Sequence, residues 1–158
     1  READALFARA LEKDPSLADA AGWRAKVLYG LGRYAEALDL NARALALYRE
    51  KGDEKSVAAI LNNIGEIQRK QGRYGEAMRL YEESLAIDRR LGNKAGIAVT
   101  LENMAYIAFK RGKYGESLQM LCQAIAIQRP PLPVQREIEH RRVAHRRAPY
   151  AVGAHERR

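Results

Sequence analysis

One phrase occurs three times: LGRYAEAL at residues 31–38, QGRYGEAM at 71–78 and RGKYGESL at 111–118. A catalytic loop needs to occur once, whereas recurrence every 40 residues marks a structural unit that stacks on copies of itself. No other feature constrains the fold as much. Such a unit buries its apolar face against its neighbours instead of in one central core.

The segments around the phrase read as paired helices. Before it lie 17–30, 54–70 and 94–110, and after it 34–50, 74–91 and 114–128. Leu61, Ile64 and Ile67 in one first segment, and Leu101, Met104, Ala105, Ala108 and Phe109 in the next, follow the helical spacing of three and four. Gly32, Gly72 and Gly112 stand where each first helix should stop, because glycine accepts the left-handed conformation that ends a helix. Gly52 and Gly92 stand where the second helices should stop. In the second helices Ala37 and Ala44, Ala77 and Ser84, and Ser117 and Ala124 are each seven apart, about two turns on one face. Small residues there let two backbones approach closely, with Leu45, Leu85 and Ile125 expected to fill the space between repeats. The first repeat is less regular. Ala21, Arg24 and Ala25 take the places of Leu61, Ile64 and Gly65, and Trp23, Val27, Leu28 and Leu31 are expected to compensate by rotating the helix slightly.

Composition removes several classes of function. No apolar run approaches the ~20 residues of a membrane span. The single cysteine, Cys122, excludes an internal disulfide framework and suits a reducing, cytoplasmic compartment; its helical setting predicts a small buried filler. There is no nucleophile elbow or phosphate-binding loop, and GRYG at 72–75 is explained as a turn by its repetition. His140 and His145 are five apart, which does not place two imidazoles on one helical face. The expectation is a non-enzyme without metal or cofactor.

The net charge of +8 is uneven, since residues 129–158 hold eight arginines against three glutamates. Pro130, Pro131 and Pro133 end the preceding helix, and no fourth repeat follows. Three readings of this tail stand open: a polar cap on the last repeat, an Arg-rich arm for nucleic acid or an acidic partner, or an extension without regular structure.

LNNIGEIQ, GRYGEAMRLY and ESLAI resemble the tetratricopeptide repeat, with Gln68 where that family often has Tyr and a period of 40 residues instead of the usual ~34. The longer form is similar to the repeats of kinesin light chain, of Pins-type spindle-orientation scaffolds, and of arrays attached to bacterial signalling ATPases and transcriptional activators. The resemblance implies an all-α fold, a right-handed superhelical solenoid of antiparallel helix pairs. It divides the chain into 1–16 (the second helix of a truncated repeat), repeats at 17–53, 54–93 and 94–128, and the tail at 129–158. Ala3, Phe7, Ala10 and Pro15 match the second-helix pattern, so the chain is expected to be a piece of a longer array within a multidomain signalling or regulatory protein.

The first helix of each pair lines the concave face in this family. The resemblance therefore points to a groove bearing Asn62, Asn63, Glu66, Arg69 and Lys70 in one repeat, and Glu102, Asn103, Tyr106, Phe109 and Lys110 in the next. A side-chain amide both donates and accepts, so it can pair with the backbone of an extended peptide of any sequence. The longer-repeat relatives imply that role for Asn63 and Asn103, and by extension Asn62. Two readings remain open: these asparagines hold a ligand, or they bond to neighbouring helices and hold the repeats in register. Tyr106 and Phe109 are groove anchors or core. The expected partner is a peptide or protein bound in the groove; the alternative is a nucleic-acid-associated module working through the basic tail.

Overall fold

The computed structural model describes residues 17–129, and the regular secondary structure in this region is all helical. Six helices follow in order: α1 Leu17–Gly30, α2 Tyr34–Lys51, α3 Glu54–Lys70, α4 Tyr74–Leu91, α5 Lys94–Lys110 and α6 Tyr114–Gln128. They match the expected segments to within a residue. The expected helix before residue 17, the tail with its three readings, and the three histidines lie outside the described residues.

The repeated phrase is the turn inside each pair. Gly32, Gly72 and Gly112 adopt φ near +75°, in the left-handed region. At each, the glycine N–H and the next residue's N–H fold back onto the first helix: Gly72 N donates to Arg69 O at 3.0 Å and Arg73 N to Gln68 O at 2.9 Å. This closes two carbonyls that the helix end would otherwise leave open. The turns between pairs use Gly52 and Gly92 in the same way, and Asp53 and Asn93 then cap the next helix by accepting from Ser56 N and Gly96 N.

The small residues of the second helices are buried as their spacing predicts. Ala37, Ala44, Ala77, Ser84 and Ala124 are fully enclosed. Ser84 Oγ donates to Ala58 O at 2.8 Å and Ser117 Oγ to Ala105 O at 2.9 Å, so these serines also tie each second helix to the first. Apolar side chains form two clusters, one around Leu40, Leu61 and Ile67 and one around Tyr81, Leu101 and Ile107. A succession of local cores is what a helical solenoid requires.

Helix spacing sets the curvature. The backbones of α1 and α3, and of α3 and α5, come within 8 Å of each other, whereas those of α2 and α4, and of α4 and α6, do not. The first helices therefore stand on the inner side of the bend. The wider outer side leaves a cleft of about 480 Å³ lined by α4, α5 and α6.

Three expectations are corrected. Helix α1 is not rotated: Ala21, Ala25 and Leu28 face the core, while Trp23, Val27 and Leu31 are exposed. The three buried residues already make the apolar stripe at helical spacing, so no turn is needed. Cys122 is exposed, not a buried filler, because it lies on the outward face of α6 at the register of exposed Glu82 and Ala42. Ile125 is half-exposed, whereas its counterpart Leu85 is buried against α5; no described helix stacks beyond α6.

Candidate functional site

Helices α1, α3 and α5 present their polar faces on the concave side. Trp23, Asn63 and Asn103 occupy the same register, 40 residues apart. Trp23 is 70% exposed, Asn63 is exposed and Asn103 half-buried. The ammonium of Lys26 lies 5.7 Å from the Trp23 ring centroid. Trp23, Lys26 and Asn63 border a groove between α1 and α3, together with Ser56 and Ala59.

Below this row sits a shared polar centre. Glu66 accepts from Tyr29 Oη at 2.7 Å, from Arg69 Nε at 2.8 Å and from Tyr81 Oη at 3.2 Å, and it also pairs with Arg69 Nη2. Three helices thus meet on one carboxylate. Its burial opposes ionisation, but the hydrogen bonds from Arg69 and Tyr29 and the charge of Arg69 outweigh it, and Glu66 is held below the ordinary carboxylate range. Burial, reinforced by the same carboxylate, pushes the phenols of Tyr29 and Tyr81 well up. Hydrogen bonding to Glu66 likewise raises Arg69. The centre is an ion pair flanked by two phenols.

The guanidinium of Arg69 lies 4.3 Å from the Tyr106 ring centroid, and Lys110 Nζ lies 5.6 Å from it on α5. A second bridge joins the same helices. Asn103 Nδ2 donates to Asn62 Oδ1 at 3.1 Å, and Asn62 Nδ2 donates to the buried Thr100 Oγ1 at 2.8 Å.

Of the ten residues expected in the groove, Glu66, Arg69, Tyr106 and Lys110 converge around the polar centre. Asn62 and Asn103 meet each other. Phe109 packs edge-on to Tyr114 at 5.5 Å while remaining half-exposed, and Glu102 accepts from Gln128 Nε2 at 2.9 Å. Asn63 and Lys70 are exposed, and neither bonds to another described residue. Sequence reasoning missed Trp23 and Lys26. They stand 40 residues before Asn63 and Glu66, so the interval that located the repeats would have found them. It also missed Tyr29, Tyr81 and Thr100, whose roles depend on which helices become neighbours.

A family model and one solved structure agree with this architecture. Residues 16–90 and 56–129 match the family model of the tetratricopeptide repeat. The crystal structure of BtubC (BKLC) from P. vanneervenii superimposes with a TM-score of 0.69 at 25% identity, over 85% of this chain and 58% of BtubC. The chain thus spans little more than half the length of that relative. The crystal structure of MamA is much less similar, with a TM-score of 0.37 and 13% identity over 80% of this chain and 86% of MamA. Among curated proteins, none matches the sequence.

Proposed function

The chain belongs to the tetratricopeptide repeat family, and from that premise we propose that it is a protein–protein interaction scaffold whose concave face holds an extended peptide of a partner protein. The observation that carries this reading is the row Trp23, Asn63 and Asn103 on three successive concave helices. A flat aromatic surface followed by two amides at one interval suits an extended chain, whose backbone offers a donor and an acceptor at every residue. Asn63 contributes both halves of its amide. Asn103 donates to Asn62 and keeps its carbonyl for a ligand. Glu66 and Arg69 neutralise each other and set the floor of the groove. Lys70 and Lys110 give its α3 and α5 end a positive rim, which favours a peptide with acidic side chains there.

The test is photo-crosslinking. Peptides selected on the full chain are bound to variants carrying a photoreactive residue at Asn63, at Lys110, or at Gln119 in the outer cleft. Crosslinks from the first two and none from Gln119 are expected. Crosslinking confined to Gln119 moves the site to the outer cleft. An oligonucleotide that binds the full chain, loses its affinity on deletion of 129–158 and weakens steeply with salt, while no selected peptide crosslinks at the three positions, would favour nucleic acid.

A further inference from the structure

The first repeat lacks a ring that the second one has. In the second, Tyr81 is fully buried and lies against Gly65, where an added Cβ would stand 2.6 Å from the ring. Its hydroxyl reaches Glu66 on the adjoining helix. Forty residues earlier the same three positions are Asn41, Ala25 and Lys26. Asparagine is much shorter than tyrosine, and a cavity of about 120 Å³ remains where these residues face each other, lined also by Tyr29, Asn63 and Glu66.

Asn41 itself is 2% exposed. Its Nδ2 donates to Ala37 O at 2.8 Å, which fixes the orientation of the amide, since a flipped group would set two acceptors against each other. Its Oδ1 is buried without a hydrogen-bond partner. A native structure rarely leaves such an acceptor unused. Glu66, a further acceptor on the wall, is already taken by Tyr29, Arg69 and Tyr81. The exposed groups at the mouth, Lys26 and Asn63, bring donors.

We propose that this cavity between α1, α2 and α3 is a specificity pocket for a primary carboxamide, the side chain of an asparagine or glutamine in the bound peptide. The proposal rests on the groove reading for the peptide that delivers the side chain. A shift of the Asn41 amide, whose Oδ1 is otherwise enclosed, lets the ligand's NH₂ donate to it, and the ligand's carbonyl accepts from Lys26 or Asn63 at the mouth. A carboxylate has no hydrogen for Asn41. An ammonium meets Lys26. An aliphatic group leaves Asn41 unpaired. A site built to hydrogen-bond one group discriminates strongly against analogues that lack it.

The test is nuclear magnetic resonance on the full chain, following the Asn41 side-chain amide and the Trp23 indole, with N-acetylglutamine N-methylamide as probe. Its glutamate and leucine analogues are the controls. The glutamine probe should shift Asn41 saturably, binding at least about tenfold tighter than either control. Asn41→Leu should abolish binding of the probe, followed at the Trp23 indole, without lowering the melting temperature, because an apolar side chain removes the buried carbonyl that has no partner. Should that variant fail to fold, Ala25→Gly with Asn41→Tyr rebuilds the second repeat's arrangement and should abolish binding equally.

No saturable shift at Asn41, as in a cavity that holds only water, overturns the proposal. So do equal affinities for the three probes, or binding that survives filling of the cavity. If selected peptides crosslink at Asn63 while the probe fails, the pocket alone is lost. If the probe binds while no peptide occupies the groove, the groove reading is lost and the pocket stands.

Discussion

The first and second repeats share their turns and their helix lengths but not their interiors. In the second, a tyrosine ring seals the seam, a glycine makes room for it, and Glu66 collects donors from three helices. In the first, Ala25 and Asn41 leave a cavity and an unpaired carbonyl. The difference shows that two sets of residues have separable tasks. Those that recur, the glycines and small seam residues, define the backbone. Those that vary at fixed register decide whether the seam of a repeat is filled or leaves a cavity.

The comparison breaks most visibly if the second repeat is made to resemble the first. Tyr81→Asn should cost ~3–5 kcal/mol, the range for truncating a large buried ring, and it also strips a donor from Glu66. Asn41→Ala should cost less than about 1 kcal/mol, because it trades one hydrogen bond for relief of an unpaired carbonyl. Urea denaturation of both variants measures the contrast. Equal losses would mean the two interiors are equivalent.

Gly65→Ala comes next. The added methyl meets the enclosed Tyr81 ring and should cost ~1–3 kcal/mol by overpacking. Adding Tyr81→Leu, which copies the Ala105 and Leu121 pair of the third repeat, should recover part of that loss in a double-mutant cycle. Additive losses would show that ring and glycine are not coupled.

Ala77→Leu should overpack the seam by ~1–3 kcal/mol, since Ala77 is completely buried between helices. Glu83→Leu on the outer face of the same helix should change stability by no more than about 1 kcal/mol, the worth of its exposed pair with Arg49. Equal effects at the two positions would contradict the assigned faces.

The smallest expected effect is a pH dependence. Glu66 is held below its ordinary value of 4.5, so its contribution is complete above that pH and is lost as the pH falls through it toward the depressed folded value. Burial raises Asp88 despite the hydrogen bond from Asn93, so this residue acts in the opposite direction: its contribution falls as pH rises above its ordinary 3.8. Glu66→Gln should flatten the acid-side fall in melting temperature, and Asp88→Asn should steepen it. Identical profiles for the two variants would overturn both assignments.

The helix pairs were legible in the sequence because their ends are written in glycine. Gly32, Gly72 and Gly112 recur at one interval, and left-handed φ leaves few alternatives to a helix stop. Burial was legible where it follows period and size, as at Ala77 and Ser84. It was misread at Cys122 and Ile125, since the neighbours that a helix face meets are not encoded in its own residues. The site was legible only as a face. That Asn103 reaches Asn62, and that Tyr29 reaches Glu66, depends on how closely α1, α3 and α5 approach. Trp23 was passed over as a helix-rotating core residue, although its register with Asn63 marks it as a groove residue.

The central claim, that the concave amides hold a partner's backbone, is tested most directly by Asn63→Ala with Asn103→Ala, measuring affinity for a selected peptide and melting temperature on the same samples. The predicted result is weaker binding by ~1–3 kcal/mol in total, at about 0.5–1.5 for each net hydrogen bond. Melting should change little, because Asn63 has no bond to lose within the described residues and Asn103 loses only its contact with Asn62. A melting temperature lower by many degrees, with affinity per folded molecule unchanged, would contradict the account and make these asparagines pins that hold the repeats in register.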